Sequence, residues 1–309
     1  MSILLACDFD AAEWALWRPA LQAAMPGERF VTSADAPDGI DVAIVANPPA
    51  GALAGLPRLR LIQSLWAGVE RLLADASVPG DVPIARMVDP AMSAAMAETA
   101  LWATLALHRG FFRYARLQQE ARWAPHRQRR ADEVTVAVLG LGQMGGAVAQ
   151  RVADQGYRVL GWSTRPAALA GVETSAGEAA LAPLLARADI ALNLLPLTAR
   201  TKGFFDARRL AGMKHGAGLV NLGRGAHVVE ADLLAALDRG QLGHAVLDVF
   251  ASEPLPPEHP FWRHPRVSVL PHVAAQTDPR TAAAVAAANV QALREGRPLA
   301  HRVDRVRGY

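Results

Sequence analysis

The sequence predicts an α/β protein whose strands form mainly parallel sheets. Short apolar runs alternate with helical patterns from end to end, which is the arrangement of βαβ units. The length of 309 residues predicts two domains, at about 150 residues per domain. A glycine-rich loop near the middle of the chain lies between a buried strand and a helix.

The first third of the chain predicts one βα series. Its strands are expected at Ile3–Ala6, Val42–Ala46, Leu59–Gln63 and Ile84–Val88. A helix is expected over Glu13–Ala24. One long helix, from about Met92 to Arg122, is expected next, and its length suggests that it bridges two domains or reaches a partner subunit.

A second series begins at Val134–Leu139. Its further strands are expected at Arg158–Trp162, Asp189–Leu195, Gly218–Leu222, Ala245–Val249 and Val267–Leu270. Helical patterns fill most gaps between them, as at Glu178–Ala188 and Glu230–Arg239, and an alanine-rich helix is expected over Pro279–Glu295.

Composition excludes several classes of protein. Lys+Arg number 32 against Asp+Glu 29, so a formal charge of +3 gives no reason to expect a nucleic-acid or membrane partner. The single cysteine, Cys7, excludes an intrachain disulfide and any multi-cysteine metal site. The amino terminus lacks the pattern of a signal peptide, and no apolar run is long enough to span a membrane, so we expect a soluble cytoplasmic protein.

The glycine loop predicts dinucleotide binding. Gly140-Leu-Gly142-Gln143-Met144-Gly145 follows the strand Val134–Leu139, and Ala147–Ala153 then reads as helix. The first glycine permits a tight turn, the second lets backbone approach a pyrophosphate and the third lets the helix pack on the strand. The free N–H groups of the helix N-terminus favour the anion. The alternative is a merely structural turn.

The residues after the next strand favour NADP(H) over NAD(H). An NAD site places Asp or Glu there to bind the ribose 2′-hydroxyl, whereas this chain has Ser163, Thr164 and Arg165, and the next carboxylate is Glu173. Hydroxyl and guanidinium donors suit a 2′-phosphate. NAD(H) use is left open, as is an ordinary solvated role for Arg165.

Three further segments place polar residues just past buried strands, where ligands bind in open α/β sheets. They contain Arg224-Gly225, Glu253-Pro254 and Pro271-His272. With the glycine loop, this order of motifs resembles the D-isomer-specific 2-hydroxyacid dehydrogenase family, and its glyoxylate/hydroxypyruvate reductase A branch in particular. The branch resemblance rests on the segments Leu65–Val69, His227–Asp238, Glu253–Pro257 and Asp304–Tyr309.

The resemblance implies a catalytic set that reduction of a 2-keto acid would need. His272 would be the general acid and base, Glu253 would orient its imidazole, and Arg224 would bind the carboxylate and polarise the carbonyl. By the same resemblance, the backbone of Trp66, Ala67 and Gly68 would bind the substrate carboxylate, with Trp66 narrowing the pocket. Further cofactor contacts are expected at Asp248, for the nicotinamide carboxamide, and at Leu195, Pro196 and Leu222.

Some of these residues also have structural readings. Trp66 could be a packed hinge aromatic, Asp248 a helix cap or turn residue, and His227 a structural residue of the Arg-Gly segment.

The resemblance also implies the organisation of the molecule. Residues 98–272 would form an NADP-binding Rossmann domain, inserted in a discontinuous, flavodoxin-like substrate domain of residues 1–97 and 273–309, with the active site in the cleft between them. A homodimer would form through the helix Met92–Arg122 and the arm after it. The implied reactions are NADPH-dependent reduction of glyoxylate to glycolate and of hydroxypyruvate to D-glycerate. The alternatives are a dehydrogenase for a larger keto acid or phosphoglycerate, and a nucleotide-sensing regulator without catalysis.

Overall fold

The computed structural model describes all 309 residues, Met1–Tyr309. The chain divides into two compact units, one of Met1–Met92 with Thr277–Tyr309, and one of Ser93–Gln276. No helix in either unit has both the length and the apolar character needed to cross a membrane.

The first unit contains a five-stranded parallel sheet in the order β2-β1-β3-β4-β5. Its strands are β1 (Ser2–Cys7), β2 (Arg29–Val31), β3 (Ile40–Ala46), β4 (Leu61–Ser64) and β5 (Ile84–Ala85), with helices α1 (Ala11–Ala24) and α2 (Glu70–Ala74). Every residue of β3 and β4 is buried, including the polar Asp41, Gln63 and Ser64, as is typical of parallel strands covered on both faces. The order 2-1-3-4-5 is that of flavodoxin, as predicted.

The long helix expected from Met92 to Arg122 is two helices, α3 (Pro90–Arg109) and α4 (Phe111–Gln119). The prediction was wrong because Gly110 adopts the left-handed conformation, with φ of +70°, and ends the first helix. Ala100 and Ala103 on α3 are buried in the core of the second unit.

The second unit contains a seven-stranded parallel sheet in the order β12-β11-β10-β9-β6-β7-β8. Its strands are β6 (Thr135–Leu139), β7 (Arg158–Ser163), β8 (Val172–Ala176), β9 (Ile190–Asn193), β10 (Ala217–Asn221), β11 (Leu242–Leu247) and β12 (Val267–Val269). The helices between them are α5 (Gln143–Ala153), α6 (Glu178–Arg187), α7 (Ala207–Ala211) and α8 (Glu230–Asp238). The order reverses between β6 and β9, which makes this a Rossmann sheet and confirms the predicted fold class.

The last helix, α9 (Pro279–Arg294), completes the first unit by packing against α1. Arg294 at its end pairs with Glu28 at 2.8 Å and with the fully buried Asp41 at the start of β3. Asn289 donates to Gln63 of β4 at 2.7 Å, and both side chains are buried. These polar contacts fix the helix on the sheet, since each buried group has its partner.

Candidate active site

The carboxyl edge of the seven-stranded sheet gathers the polar residues predicted for chemistry. Gly140 follows β6, and Arg165 lies beyond the end of β7. Arg224, Asp248 and His272 lie beyond the ends of β10, β11 and β12, respectively. All these strands are parallel, so the residues that follow them lie along one edge of the second unit.

The glycine loop lies at the point where the strand order reverses. Gly140 has φ of +95°, and a Cβ there would come within 2.6 Å of the Leu194 carbonyl oxygen beyond β9. A Cβ on the buried Gly145, in the first turn of α5, would lie 1.7 Å from the Gly140 carbonyl oxygen. A Cβ on Gly142 would meet nothing within 4 Å, so this backbone is open to a ligand. The loop therefore fits a pyrophosphate, with two glycines required by the protein's own packing and the third facing open space.

Two predicted residues of this loop begin the helix. Gln143 is exposed at the N-terminus of α5, and Met144 packs partly against the hydrophobic core. Their N–H groups belong to the first turn of the helix, which has no preceding carbonyl groups to bind.

The loop after β7 carries the predicted donors to a 2′-phosphate. Ser163 Oγ donates to the Arg165 carbonyl, which shapes the turn, and the side chains of Thr164 and Arg165 are exposed. Glu173 is not at the carboxyl end of β7, because it lies in β8 opposite Leu160 of β7. Its carboxylate binds Arg187 through two hydrogen bonds of 2.5 and 2.8 Å. No carboxylate of the β7–β8 segment therefore lies where it would repel a phosphate.

His272 and Glu253 form a hydrogen-bonded pair. His272 Nδ1 lies 2.7 Å from Glu253 Oε2. The other carboxylate oxygen, Oε1, accepts the N–H of Phe250 at 2.8 Å, which fixes the carboxylate plane. The contact uses Nδ1 and leaves Nε2 as the ring nitrogen that can exchange a proton with a substrate.

Asp248 holds the backbone around His272. The histidine has φ of +54°, a conformation that costs energy unless its surroundings enforce it. Its N–H donates to the Asp248 carbonyl at 2.9 Å, and the Asp248 carboxylate accepts the N–H groups of Val273 at 2.7 Å and Ala274 at 3.1 Å. Asp248 is 1% exposed, so the structure gives this carboxylate a positioning role beside the cofactor contact predicted for it.

The Arg224 loop packs directly on the loop that precedes Glu253. A Cβ on Gly225 would lie 1.8 Å from the Phe250 carbonyl carbon, so only glycine permits this approach. Phe250 is the residue whose N–H holds Glu253. The Arg-Gly motif thus brings the loop that carries Arg224 against the loop that carries Glu253.

A buried polar network, which the sequence analysis did not identify, supports the Arg224 loop. His227, Asn193 and Asn221 are each 0% exposed. His227 Nδ1 accepts the N–H of Arg224 at 3.1 Å, and Asn193 Nδ2 lies 2.9 Å from the same nitrogen. Asn221 Nδ2 donates to the Arg224 carbonyl at 3.0 Å. The sequence feature that could have indicated this network is the asparagine that ends each of the strands β9 and β10. The structural role expected for His227 agrees with these contacts.

The remaining predicted cofactor residues of this unit are largely buried. Leu195 and Leu222 are 5% and 4% exposed, so a ligand could meet mainly their backbone. Pro196 is half-buried, and its carbonyl lies 3.2 Å from His227 Nε2. The network around His227 therefore links the loop after β9 to the loop after β10.

The segment Trp66-Ala67-Gly68 lies in the first unit, between β4 and α2. The Trp66 ring packs edge-on against Phe9 and Trp17, with ring centroids 6.1 and 6.0 Å apart. Its buried Nε1 has no hydrogen-bond partner within the chain. Buried polar side-chain atoms are rarely left without a hydrogen bond, so this indole N–H is unusual.

The described residues contain no group of three or more His, Cys, Asp or Glu side chains placed to hold a metal ion.

Comparisons with known proteins agree with this geometry. Residues 101–274 match the family model of the D-isomer specific 2-hydroxyacid dehydrogenase NAD binding domain. The chain is 40% identical over 312 aligned positions to glyoxylate/hydroxypyruvate reductase A of Serratia proteamaculans, covering 97% of both chains.

Two solved structures are similar over the whole chain. A D-isomer specific 2-hydroxyacid dehydrogenase from Xanthobacter autotrophicus, in complex with NADPH and MES, has a TM-score of 0.94 at 40% identity, covering 100% of this chain and 99% of that one. An NADPH-dependent glyoxylate/hydroxypyruvate reductase from Sinorhizobium meliloti, in complex with NADP and sulfate, has a TM-score of 0.93 at 36% identity, covering 100% of both. The chain belongs to the D-isomer specific 2-hydroxyacid dehydrogenase family.

Proposed function

We propose that this protein is an NADPH-dependent reductase of small 2-keto acids, converting glyoxylate to glycolate and hydroxypyruvate to D-glycerate. The observation that carries the proposal is the His272–Glu253 hydrogen bond of 2.7 Å, at the sheet edge that also bears the glycine loop. The relatives in Serratia proteamaculans and Sinorhizobium meliloti, which carry this activity in their names, support the choice of substrate.

We assign the proton chemistry to His272. Its Nε2 would donate a proton to the carbonyl oxygen of the keto acid as negative charge develops there. Glu253, bonded to Nδ1, orients the ring and stabilises its protonated form. The reverse reaction would return the proton to the same nitrogen, so one pair serves both directions.

We assign the substrate carboxylate to Arg224 and to the segment Trp66–Gly68. A guanidinium offers a planar fork that can bind a carboxylate and polarise the adjacent carbonyl. The N–H groups of Ala67 and Gly68 make no hydrogen bond within the chain, so this segment has donors for an anion.

The cofactor is assigned to the glycine loop and to the residues after the neighbouring strands. Gly140, Gly142, Gln143, Met144 and Gly145 would bind the pyrophosphate. Residues Ser163, Thr164 and Arg165 would bind the 2′-phosphate, and Leu195, Pro196, Leu222 and Asp248 would border the rest of the nucleotide. When bound, NADPH supplies the hydride that reduces the keto carbon.

The assignment of His272 is tested with one variant and a matched control. His272→Ala is expected to lower kcat by about two orders of magnitude or more while NADPH affinity stays within about twofold. His264→Ala removes another histidine of the same unit, one paired with Asp238 at 3.2 Å, and is expected to leave kcat unchanged. Wild-type kcat in His272→Ala would overturn the assignment.

The two compact units suggest that one binds the nucleotide and the other the substrate. We propose that Ser93–Gln276 is the nucleotide-binding domain and that Met1–Met92 with Thr277–Tyr309 is the substrate domain. The match of residues 101–274 to an NAD binding domain model supports this assignment.

We also propose a cytoplasmic homodimer formed through α3, α4 and the arm that follows. Four large apolar side chains of this region are exposed, Trp102 at 44%, Leu105 at 36%, Phe111 at 55% and Trp123 at 97%. A group of this kind is typical of a surface that another protein covers. Light scattering on the purified protein tests the proposal, and a monomeric mass at micromolar concentration would refute it.

A further inference from the structure

Four aromatic side chains of the first unit pack together near the carboxyl ends of β1 and β4. Phe9 and Trp66 each lie two residues beyond the end of one of these strands, and Trp14 and Trp17 lie about one turn apart on α1. The Phe9 ring stacks on Trp17, with centroids 5.5 Å apart and planes 13° apart, and Trp14 meets Phe9 edge-on at 5.2 Å. Trp17 is buried and the other three rings are half-buried. We call these four residues the aromatic cluster.

Trp66 has a backbone fixed by hydrogen bonds and a ring that is held by packing. Its N–H donates to Ser64 Oγ at 3.0 Å, and its carbonyl accepts the N–H of Met87 at 3.1 Å. The indole Nε1 is buried without a hydrogen-bond partner, so no hydrogen bond sets the direction of the ring. The ring instead meets Phe9 and Trp17 at interplanar angles of 75° and 82°. Edge-to-face contacts of this kind are favourable, so these two rings orient the indole.

Phe9 lies between two residues whose backbone is fixed. The N–H of Asp8 donates to the Ala46 carbonyl at 2.9 Å, which ties the chain to the end of β3. Asp10 caps α1, because its carboxylate accepts the Glu13 N–H at 2.8 Å and the Glu13 carboxylate accepts the Asp10 N–H at 2.9 Å. The Phe9 ring is therefore carried on a short, well-anchored connection between β1 and α1.

We propose that Phe9 and Trp17 are positioning residues, which limit the size of the keto acid by holding the Trp66 ring in place. This inference rests on the proposed function, in which the segment Trp66–Gly68 binds the carboxylate of the keto acid. The indole then lies close to the bound acid and restricts the group attached to the keto carbon. A ring packed against two others cannot turn aside for a larger group, since close-packed side chains leave few voids to move into.

The test compares kcat/KM for phenylpyruvate with kcat/KM for glyoxylate, in the full-length protein with NADPH. Phe9→Leu is expected to raise this ratio about threefold, less than the roughly tenfold rise expected for Trp66→Ala, because the indole is still present. Trp17→Phe replaces the indole stacked on Phe9 by a smaller ring and is expected to raise the ratio in the same direction. The matched control Phe30→Leu removes a half-buried ring of β2, outside the aromatic cluster, and is expected to keep the wild-type ratio.

A double variant separates positioning from a general loss of structure. In Trp66→Ala the ring that Phe9 positions is absent, so Phe9→Leu/Trp66→Ala is expected to have the same ratio as Trp66→Ala alone. A purely structural role for Phe9 would instead lower kcat/KM for both acids and leave their ratio unchanged. Thermal melts show whether each variant is folded, and the conservative Trp17→Phe decides the matter if Phe9→Leu is not.

Three results would overturn the proposal. The first is a wild-type ratio in both Phe9→Leu and Trp17→Phe, and the second is an equal rise of the ratio in Phe30→Leu. The third is a further rise when Phe9→Leu is added to Trp66→Ala, because Phe9 would then act independently of the indole. Each of these results leaves the proposed function standing, whereas a wild-type protein that reduces neither glyoxylate nor hydroxypyruvate would refute that function itself.

Discussion

The packing of Gly145 against Gly140 makes the cofactor loop sensitive to a single methyl group. In Gly145→Ala the new Cβ would lie 1.7 Å from the Gly140 carbonyl oxygen, so helix and loop must separate by about 1.7 Å to reach an ordinary contact of 3.4 Å. A misplacement of about 1 Å can cost about a hundredfold in a site that depends on geometry. We therefore expect Gly145→Ala to weaken NADPH binding by about a hundredfold or more.

The adjacent glycine provides a matched control. A Cβ on Gly146 would meet only Leu169 Cδ2, at 3.9 Å, so Gly146→Ala is expected to bind NADPH as wild type does and to gain about 0.5–1 kcal/mol of helix stability. Gly142→Ala meets nothing in the protein, so it should leave the thermal midpoint nearly unchanged while weakening NADPH binding.

The assay is NADPH titration followed by quenching of protein fluorescence, with a thermal melt of each variant. If Gly145→Ala bound NADPH within threefold of wild type, or if Gly146→Ala lost as much affinity, the contact between Gly145 and Gly140 would not control NADPH binding.

Three further predictions concern the rest of the molecule. Arg294→Met leaves the carboxylate of Asp41 buried without its partner and should cost about 3–5 kcal/mol in urea unfolding, whereas the exposed Arg297→Met should cost less than about 1 kcal/mol. Burial lowers the pKa of His244 to about 4 in the folded protein, so between pH 4 and pH 6.5 the folded protein binds fewer protons than the unfolded chain. The contribution of His244 to the free energy of unfolding should therefore be full above pH 6.5 and fall by up to about 3 kcal/mol towards pH 4. His244→Gln should flatten this pH dependence, and an unchanged slope in the variant would refute the prediction. Trp66→Ala should raise kcat/KM for a bulky keto acid such as phenylpyruvate roughly tenfold relative to glyoxylate, and an unchanged ratio would remove Trp66 from the substrate pocket.

Local signals were sufficient for much of the fold. Buried strands such as β3 and β6 are mostly apolar, and each is followed by a breaker, Asn47 or Gly140, so their existence and ends can be read from neighbouring residues. Two edge strands, β2 and β8, were not predicted. Each pairs with only one neighbour and is partly exposed. β2 has only three residues and β8 is mostly polar, so neither contains a long apolar run.

The helix break at Gly110 could not be predicted from the local sequence. Glycine inside a helical pattern is compatible with a continuous helix, so only the three-dimensional packing reveals the left-handed turn. A Cβ at this position would lie 2.5 Å from the His126 ring, a contact between residues 16 positions apart that no local pattern contains.

The candidate site likewise has one part that the sequence predicts and another that only the structure shows. Its motifs follow strands and could be read along the chain, but the support of His272 by Asp248 and of Arg224 by His227 and Asn193 depends on contacts between separate loops. Asp248 illustrates the difference, because the sequence places it beyond β11 and only the structure shows its carboxylate bonded to the backbone after His272.

This chain is expected to reduce glyoxylate and hydroxypyruvate with NADPH. Initial rates with NADPH and NADH against both acids and against phenylpyruvate, followed at the nicotinamide absorbance, test it most directly. We predict the highest kcat/KM with NADPH and the two small acids, and a reduced NADPH preference in Arg165→Gln. A preference for NADH, or the lowest rates with glyoxylate and hydroxypyruvate, would show that the chain is not an NADPH-dependent reductase of small 2-keto acids.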